Sequence, residues 1–362
     1  MNVKLFCHSI VSDWNHGNAH FLRGVARELR RRGHDVTVLE PEGGWSRRNL
    51  LREAGPAAIE EFRALFPEIP SRTYRLERLD LDRELRDAHL VLVHDWNEPA
   101  LVNRIGAHHR THGSYRLLFY DAHHRAATAP KQVAAFDLRG YEAVLAFGSL
   151  IRDLYLEHGW ARRAYAWHEA ADAALFRPID GRPRAGEMVW IGNWGDGERT
   201  AELQEFLLDP VRALELGGHV HGVRYPAYAR RALDAAGLSY EGWLPNYRAP
   251  EAFSQHRVTV HVPRRAYVRR LPGIPTIRVF EALACGIPLV SAPWEDRDRL
   301  FTPGEDYLVA RDGREMTGHL RTLLRDPSAA AQLAANGLAT IRARHTCAHR
   351  VDELLAIVEE LR

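Results

Sequence analysis

Three stretches of the chain bring together residue types that could do chemistry. The sharpest runs Leu271-Pro272-Gly273-Ile274-Pro275-Thr276-Ile277-Arg278-Val279-Phe280-Glu281-Ala282-Leu283-Ala284-Cys285-Gly286. Pro275 suits the first turn of a helix and Gly286 its stop. The spacing predicts a buried stripe of Ile277, Phe280 and Ala284, with Arg278 and Glu281 one turn apart on a neighbouring face. A helix start that offers amides to a diphosphate, followed by a carboxylate for ribose hydroxyls, is a coherent nucleotide site. An ordinary surface Arg–Glu pair is the competing reading.

The second stretch is Met188-Val189-Trp190-Ile191-Gly192-Asn193-Trp194-Gly195-Asp196-Gly197-Glu198-Arg199-Thr200, a strand, a glycine-rich loop and a helix start. Its glycines permit close backbone approach, and the Arg199 guanidinium suits a diphosphate. A run of arginines follows at Arg264, Arg265, Arg269 and Arg270, which reads as a contact for a phosphate-bearing small ligand or as a solvated loop.

The third stretch is polar and lies in the first half. Ser12-Asp13-Trp14-Asn15-His16-Gly17-Asn18 precedes a helix that carries His20, and Asp121-Ala122-His123-His124-Arg125 follows an apolar strand. Polar groups this dense at the end of a buried strand are costly unless they meet water, a ligand or one another. His123 or His124 could touch sugar hydroxyls or act as a base. A metal site is the weaker alternative, because adjacent histidines on an extended chain point to opposite sides. His94-Asp95 joins them only if the fold brings the two segments together. None of these loops is G-x-G-x-x-G, so a nicotinamide or flavin reading loses its main support.

The elements that must position these residues are legible as apolar runs alternating with helix-period segments. Strands are expected at Val3–Phe6, Val36–Leu39, Leu90–Val93, Leu117–Tyr120 and Val144–Phe147, then Met188–Ile191, His219–Val223, Val258–Val262, Pro288–Ser291 and Tyr307–Ala310. Several are continuously apolar, as a parallel sheet covered on both faces requires. Strands alternating with helices imply βαβ units and doubly wound sheets. In the first helix Phe21, Leu22, Val25 and Leu29 face the sheet, Gly33 supplies the left-handed stop, and Arg30-Arg31-Arg32 reads as a solvated end. Proline and glycine between Asp172 and Gly186 mark a boundary, giving domains 1–172 and 173–362. The last helix, Cys347 to Leu361 with Thr346 as its cap, is free to return to the first domain.

Composition narrows the field further. The 362 residues carry a net charge of +2, well short of the cationic field of a dedicated nucleic-acid binder. No apolar run reaches the roughly 18–20 residues of a membrane span, and the N-terminus reads as a strand, not a signal peptide. Three scattered cysteines give no disulfide framework or zinc spacing, which makes a reducing cytoplasm the simplest location.

The run Thr276 to Pro288 resembles the donor-site signature of group 1 glycosyltransferases, closest to the CgeB-like spore-maturation branch. The similarity continues through Phe301-Thr302-Pro303-Gly304-Glu305-Asp306-Tyr307 to His345-Thr346 and Arg350. It also reaches back to Glu169-Ala170-Ala171-Asp172 and Phe176-Arg177-Pro178. The resemblance implies a GT-B fold, an α/β architecture of two Rossmann-like, doubly wound parallel-sheet domains facing a cleft. Its expected activity is transfer of a hexose-type sugar from a nucleoside-diphosphate sugar to an acceptor the sequence does not identify. No metal or cofactor is implied.

By that resemblance Glu281 takes the ribose, Arg199 the diphosphate, and His123 or His124 the transferred sugar, with His16 near them. Gly192, Asn193, Arg265, Gly273, Ile274, Thr276, Ile277 and Arg278 complete the donor side, while Gly17, Asn18 and His20 border the acceptor. If the anomeric configuration is inverted, His16, His20 or His123 is the candidate base. The family's first glutamate, eight positions before the second, falls at Gly273. Backbone groups of Gly273, Ile274 and Thr276 are the expected substitutes. A nucleotide-sugar epimerase on the same fold, a non-catalytic GT-B-like binding protein and, last, a metal-dependent hydrolase are the alternatives.

Overall fold

The computed structural model describes residues 1–361 and divides into two units. The first comprises Met1–Glu169 and returns with the chain from Cys347 onward; the second is Ala170–Thr346. The division thus falls between Glu169 and Ala170, whereas the sequence placed it after residue 172. Ala171 already pairs with Thr346 in an isolated parallel bridge, and its N–H donates to the His345 carbonyl.

In the first unit seven parallel strands are β1 (Asn2–Phe6), β2 (Asp35–Pro41), β3 (Ser71–Tyr74), β4 (Leu90–His94), β5 (Arg116–Asp121), β6 (Ala143–Ala146) and β7 (Ala164–Ala166). Their spatial order is β3-β2-β1-β4-β5-β6-β7. The second unit has β8 (Met188–Ile191), β9 (Gly218–His221), β10 (Leu238–Gly242), β11 (Val258–His261), β12 (Leu289–Ser291) and β13 (Leu308–Val309). Its order is β10-β9-β8-β11-β12-β13, again all parallel. Both sheets follow the Rossmann order, winding one way from the central strand and then the other. The strand order therefore reverses between β1 and β4 in the first unit and between β8 and β11 in the second.

The ten expected strands are present, with ends shifted by a few residues. Three strands escaped the sequence: β3, β7 and β10. All three lie at sheet edges. Their sequences, SRTY, AYA and LSYEG, are half-exposed and lack the apolar runs of the central strands. Central β4 and β11, in contrast, are buried at every position.

The first helix, Ala19–Arg31, buries Phe21, Leu22, Val25 and Leu29, and Gly33 ends it with a φ of 82°. Its arginine-rich end is not simply solvated. Arg31 and Arg32 pair with Glu28, and Arg32 reaches across to Asp352 and the Ala348 carbonyl on the last helix, Cys347–Glu360. That helix is fastened to the first unit a second time, where the Trp167 indole donates to the Arg350 carbonyl at 2.8 Å.

Close packing behind β5 depends on two glycines. A Cβ on Gly140, in the turn before β6, would lie 2.0 Å from the Gly106 carbonyl oxygen on the helix Pro99–His112. Gly140→Ala should therefore lower stability by roughly 1–3 kcal/mol, read as a drop in the thermal unfolding midpoint. An unchanged midpoint would show that the two segments separate freely.

Candidate active site

In doubly wound sheets ligands bind beyond the carboxyl ends of the strands, where the strand order reverses. In the second unit that place is occupied by Arg199. Its guanidinium donates to the Val262 carbonyl after β11 at 2.6 Å and to the Asn193 carbonyl after β8, so it spans the reversal point. It stacks over the Trp190 ring at 5.3 Å, and a side chain at Gly195 would strike it. Arg199 is 8% exposed, no carboxylate pairs with it among the described residues, and its Nε has no partner. Burial lowers its pKa to about 10, which leaves it charged at neutral pH.

Beside it His261, the last residue of β11, is fully buried. Its Nδ1 lies 2.9 Å from the Ser291 hydroxyl and its Nε2 3.1 Å from the Thr276 hydroxyl. Burial, and then the nearby Arg199 charge, hold this imidazole neutral with a pKa of about 3. Thr276 is the residue before the helix Ile277–Ala284, and its hydroxyl, engaged with His261, makes no capping bond to that helix. The amides of Thr276, Ile277 and Arg278 have no acceptor among the described residues.

Two expectations for this turn are corrected. Gly273 and Ile274 do not present their amides outward: the first donates to the Glu295 carbonyl at 2.7 Å and the second to Leu271 at 3.2 Å. Gly273 has a φ of 95° and lies against Arg297 and Asp298, so the turn faces its own neighbouring loop. Pro275 precedes the helix by two residues and is not in its first turn. Gly286 does end the helix, with a φ of 65°.

Arg278 and Glu281 form the expected i,i+3 ion pair, but the carboxylate is wholly buried. Its second oxygen accepts from Asn246 Nδ2 at 2.7 Å. Asn246, in a short turn after β10, and His261 were not singled out from the sequence; each is a lone polar residue in an unremarkable segment. Gly192 donates to the His221 carbonyl, and the Asn193 amide oxygen accepts from Val223, so both shape the loop around Arg199. Arg265 is bound through two nitrogens to Glu202, and Arg264 pairs with Glu198.

At the reversal point of the first unit lies a cluster of histidines and aromatics. His16 sits between His8, 5.7 Å away centroid to centroid, and His94, 5.9 Å away. His94 stacks on Tyr120 at 5.4 Å. Burial keeps all three histidines below the usual imidazole pKa, and His16 Nε2 is buried without a partner. The fold does bring His94-Asp95 to the other loop: Asp95 pairs with Arg125 at 2.5 Å and accepts from the Ala122 amide. Asp121, receiving Tyr155 Oη at 2.7 Å, has its pKa pushed up by burial and by Asp95.

The chain at His123 and His124 is not extended. It turns into a short helix, setting the two rings 4.0 Å apart, with His123 edge-on to Trp96 at 4.8 Å. These histidines form no group of converging metal ligands among the described residues. Asn18 bonds Tyr120 and Glu169 at 3.0 and 2.8 Å, Gly17 precedes it in the loop, and His20 is buried on the first helix.

Residues 199–356 match the family model described as glycosyl transferase-like. No curated protein matches the chain. Among solved structures it is similar to sucrose-phosphate synthase from Thermosynechococcus elongatus, with 14% identity, a TM-score of 0.68, and coverage of 100% of this chain and 99% of that one. It is similar also to Anabaena HepE in complex with UDP and glucose, with 14% identity, a TM-score of 0.69, and 99% and 100% covered. A third is T4 phage BGT in complex with UDP and Mn2+, with 11% identity, a TM-score of 0.59, and 100% and 99% covered. The architecture is that of the GT-B glycosyltransferases. The matched span lies almost wholly in the second unit, and the spore-maturation branch is not among the matches.

The buried neutral state of His261 has a consequence for stability. The unfolded chain takes up a proton there below about pH 6.5, whereas the folded protein does so only near 3. Stability carried by His261 is therefore lost as pH falls through this window. Relative to His261→Gln, the wild type should lose roughly 2 kcal/mol between pH 7 and pH 5. Urea unfolding of both proteins at the two pH values measures this, and a constant difference would contradict it.

Proposed function

We propose that the protein, in the cytoplasm, transfers a hexose-type sugar from a nucleoside-diphosphate sugar to an acceptor hydroxyl, with no metal or cofactor taking part in the transfer. The observation that carries this reading is Arg199. A buried cation in direct contact with no carboxylate is costly, and a ligand's diphosphate removes that cost. In this reading the leaving diphosphate lies between Arg199 and the bare amides of Thr276, Ile277 and Arg278, whose helix dipole adds to the stabilisation. Glu281, held by Asn246, accepts from the ribose hydroxyls in partial exchange for Arg278. Arg265 steadies the Arg199 loop through Glu202 and is not a direct ligand.

On the acceptor side, His16 has the free nitrogen and the neutral form that a base requires, while His123 and His124 flank the same strand ends as sugar contacts. Inversion at the anomeric carbon would use such a base; retention would not. Three free, buried cysteines agree with a reducing compartment, and among the described residues no helix is long and apolar enough to cross a membrane.

UDP-glucose is the first donor to try, because UDP and glucose appear with the similar HepE structure. Calorimetry should show binding by the wild type and an affinity roughly 10–100-fold weaker in Glu281→Gln. Arg199→Lys should reduce turnover by a larger factor than it weakens binding. Radiolabelled donor with cell extract, after exhaustive chelation, separates transfer from free epimerised product and from binding alone. Binding of no nucleotide sugar, or affinity indifferent to Glu281, would overturn the assignment.

A further inference from the structure

A second cluster of titratable groups lies outside both reversal points. His108 and His112 are spaced i,i+4 at the end of the helix Pro99–His112, with their rings stacked 4.5 Å apart. Asp82, on the short helix Leu81–Leu85, places Oδ1 3.0 Å from His108 Nε2 and 3.9 Å from His112 Nε2. The helix Pro99–His112 follows the carboxyl end of β4 and runs back, so its last turn lies towards the amino ends of the strands. The cluster is thus at the end of the sheet opposite the histidine–aromatic cluster of the same unit.

We propose that Asp82, His108 and His112 form a binding site for a divalent transition metal of the zinc class. The three ligand atoms all lie within 4.8 Å of one another. Bonds of about 2.0–2.1 Å in a tetrahedral site put ligand atoms roughly 3.3 Å apart, so modest rotations suffice. Asp82 and His112 have room for them, with side chains 73% and 57% exposed.

Both rings are held through their other nitrogen, as metal-ligating histidines usually are. His108 Nδ1 lies 2.9 Å from the Tyr115 hydroxyl; His112 Nδ1 lies 2.7 Å from the Thr111 hydroxyl and 3.3 Å from the His108 carbonyl. Each Nε2 is thereby left facing Asp82. For Nε2 of the neutral ring to take the ion, the single ring proton sits on Nδ1 and is donated to the Tyr115 hydroxyl oxygen, and the ion takes the place of a proton between Nε2 and Asp82. Two imidazoles and one carboxylate suit Zn2+, Co2+ or Ni2+ over Mg2+ or Ca2+. The remaining position opens on a cavity of about 640 Å³ lined by Glu77, Asp80 and Arg104, where water completes the shell. The ion would reinforce the Asp82–His108 link between the two helices.

The test is titration of the full, untagged chain with Co2+, followed by visible absorption, and with Zn2+, followed by the thermal midpoint. One equivalent of Co2+ should bind, displaceable by Zn2+, and Zn2+ should raise the midpoint. His112→Gln and Asp82→Asn, both at exposed side chains, should each weaken binding at least tenfold and abolish the midpoint shift. Absence of one-equivalent binding in the wild type, or either variant binding as tightly as the wild type, would overturn the site. Nucleotide-sugar binding does not enter this readout, so the two proposals fail separately.

Discussion

An arginine buried without a carboxylate partner is the constraint around which the second unit is arranged. Two backbone carbonyls and a tryptophan face hold Arg199, but none of them neutralises it. The carbonyls come from the loops after β8 and β11, so the charge is fixed where the strand order reverses. The same reversal leaves room for the helix start at Ile277, whose first amides lack acceptors because Thr276 bonds His261 in place of its own helix. A positive side chain and a positive helix end then converge beyond one pair of strands, with His261 kept neutral between them.

The first unit repeats the winding with different chemistry. At its reversal point the loops after β1 and β4 contribute neutral imidazoles and indole rings, and the ionised groups, Asp95 and Arg125, are paired with each other. One unit thus offers fixed positive charge and the other offers uncharged rings with hydrogen-bonding edges.

Much of this was legible in the amino-acid order, and the omissions have physical causes. Central strands such as LVLVH are buried at every position and advertise themselves by a run of apolar residues. The edge strands β3, β7 and β10 are paired on one side only, tolerate SRTY or LSYEG, and gave no signal. Arg199 and Glu281 could be picked out because a glycine loop and a helix start framed them. Asn246 and His261 could not, since their importance comes from contacts made across 35 and 15 residues of chain. The orientation of the Gly273 turn was misjudged for a related reason: its amide finds Glu295, a partner that local spacing does not reveal.

The return of the last helix to the first unit means that the chain enters the second unit at Ala170 and leaves it at Thr346. During synthesis the sheet of seven strands has emerged long before the helix that packs on its first helix. That flank, the face of the first helix that the last helix covers and the Trp167 indole beside it, stays uncovered while some 180 further residues are translated and the inserted unit folds. Nascent chains stalled before Cys347 are the species in which this apolar surface is open to chaperones, and a ribosome-bound truncation series is where it would be seen.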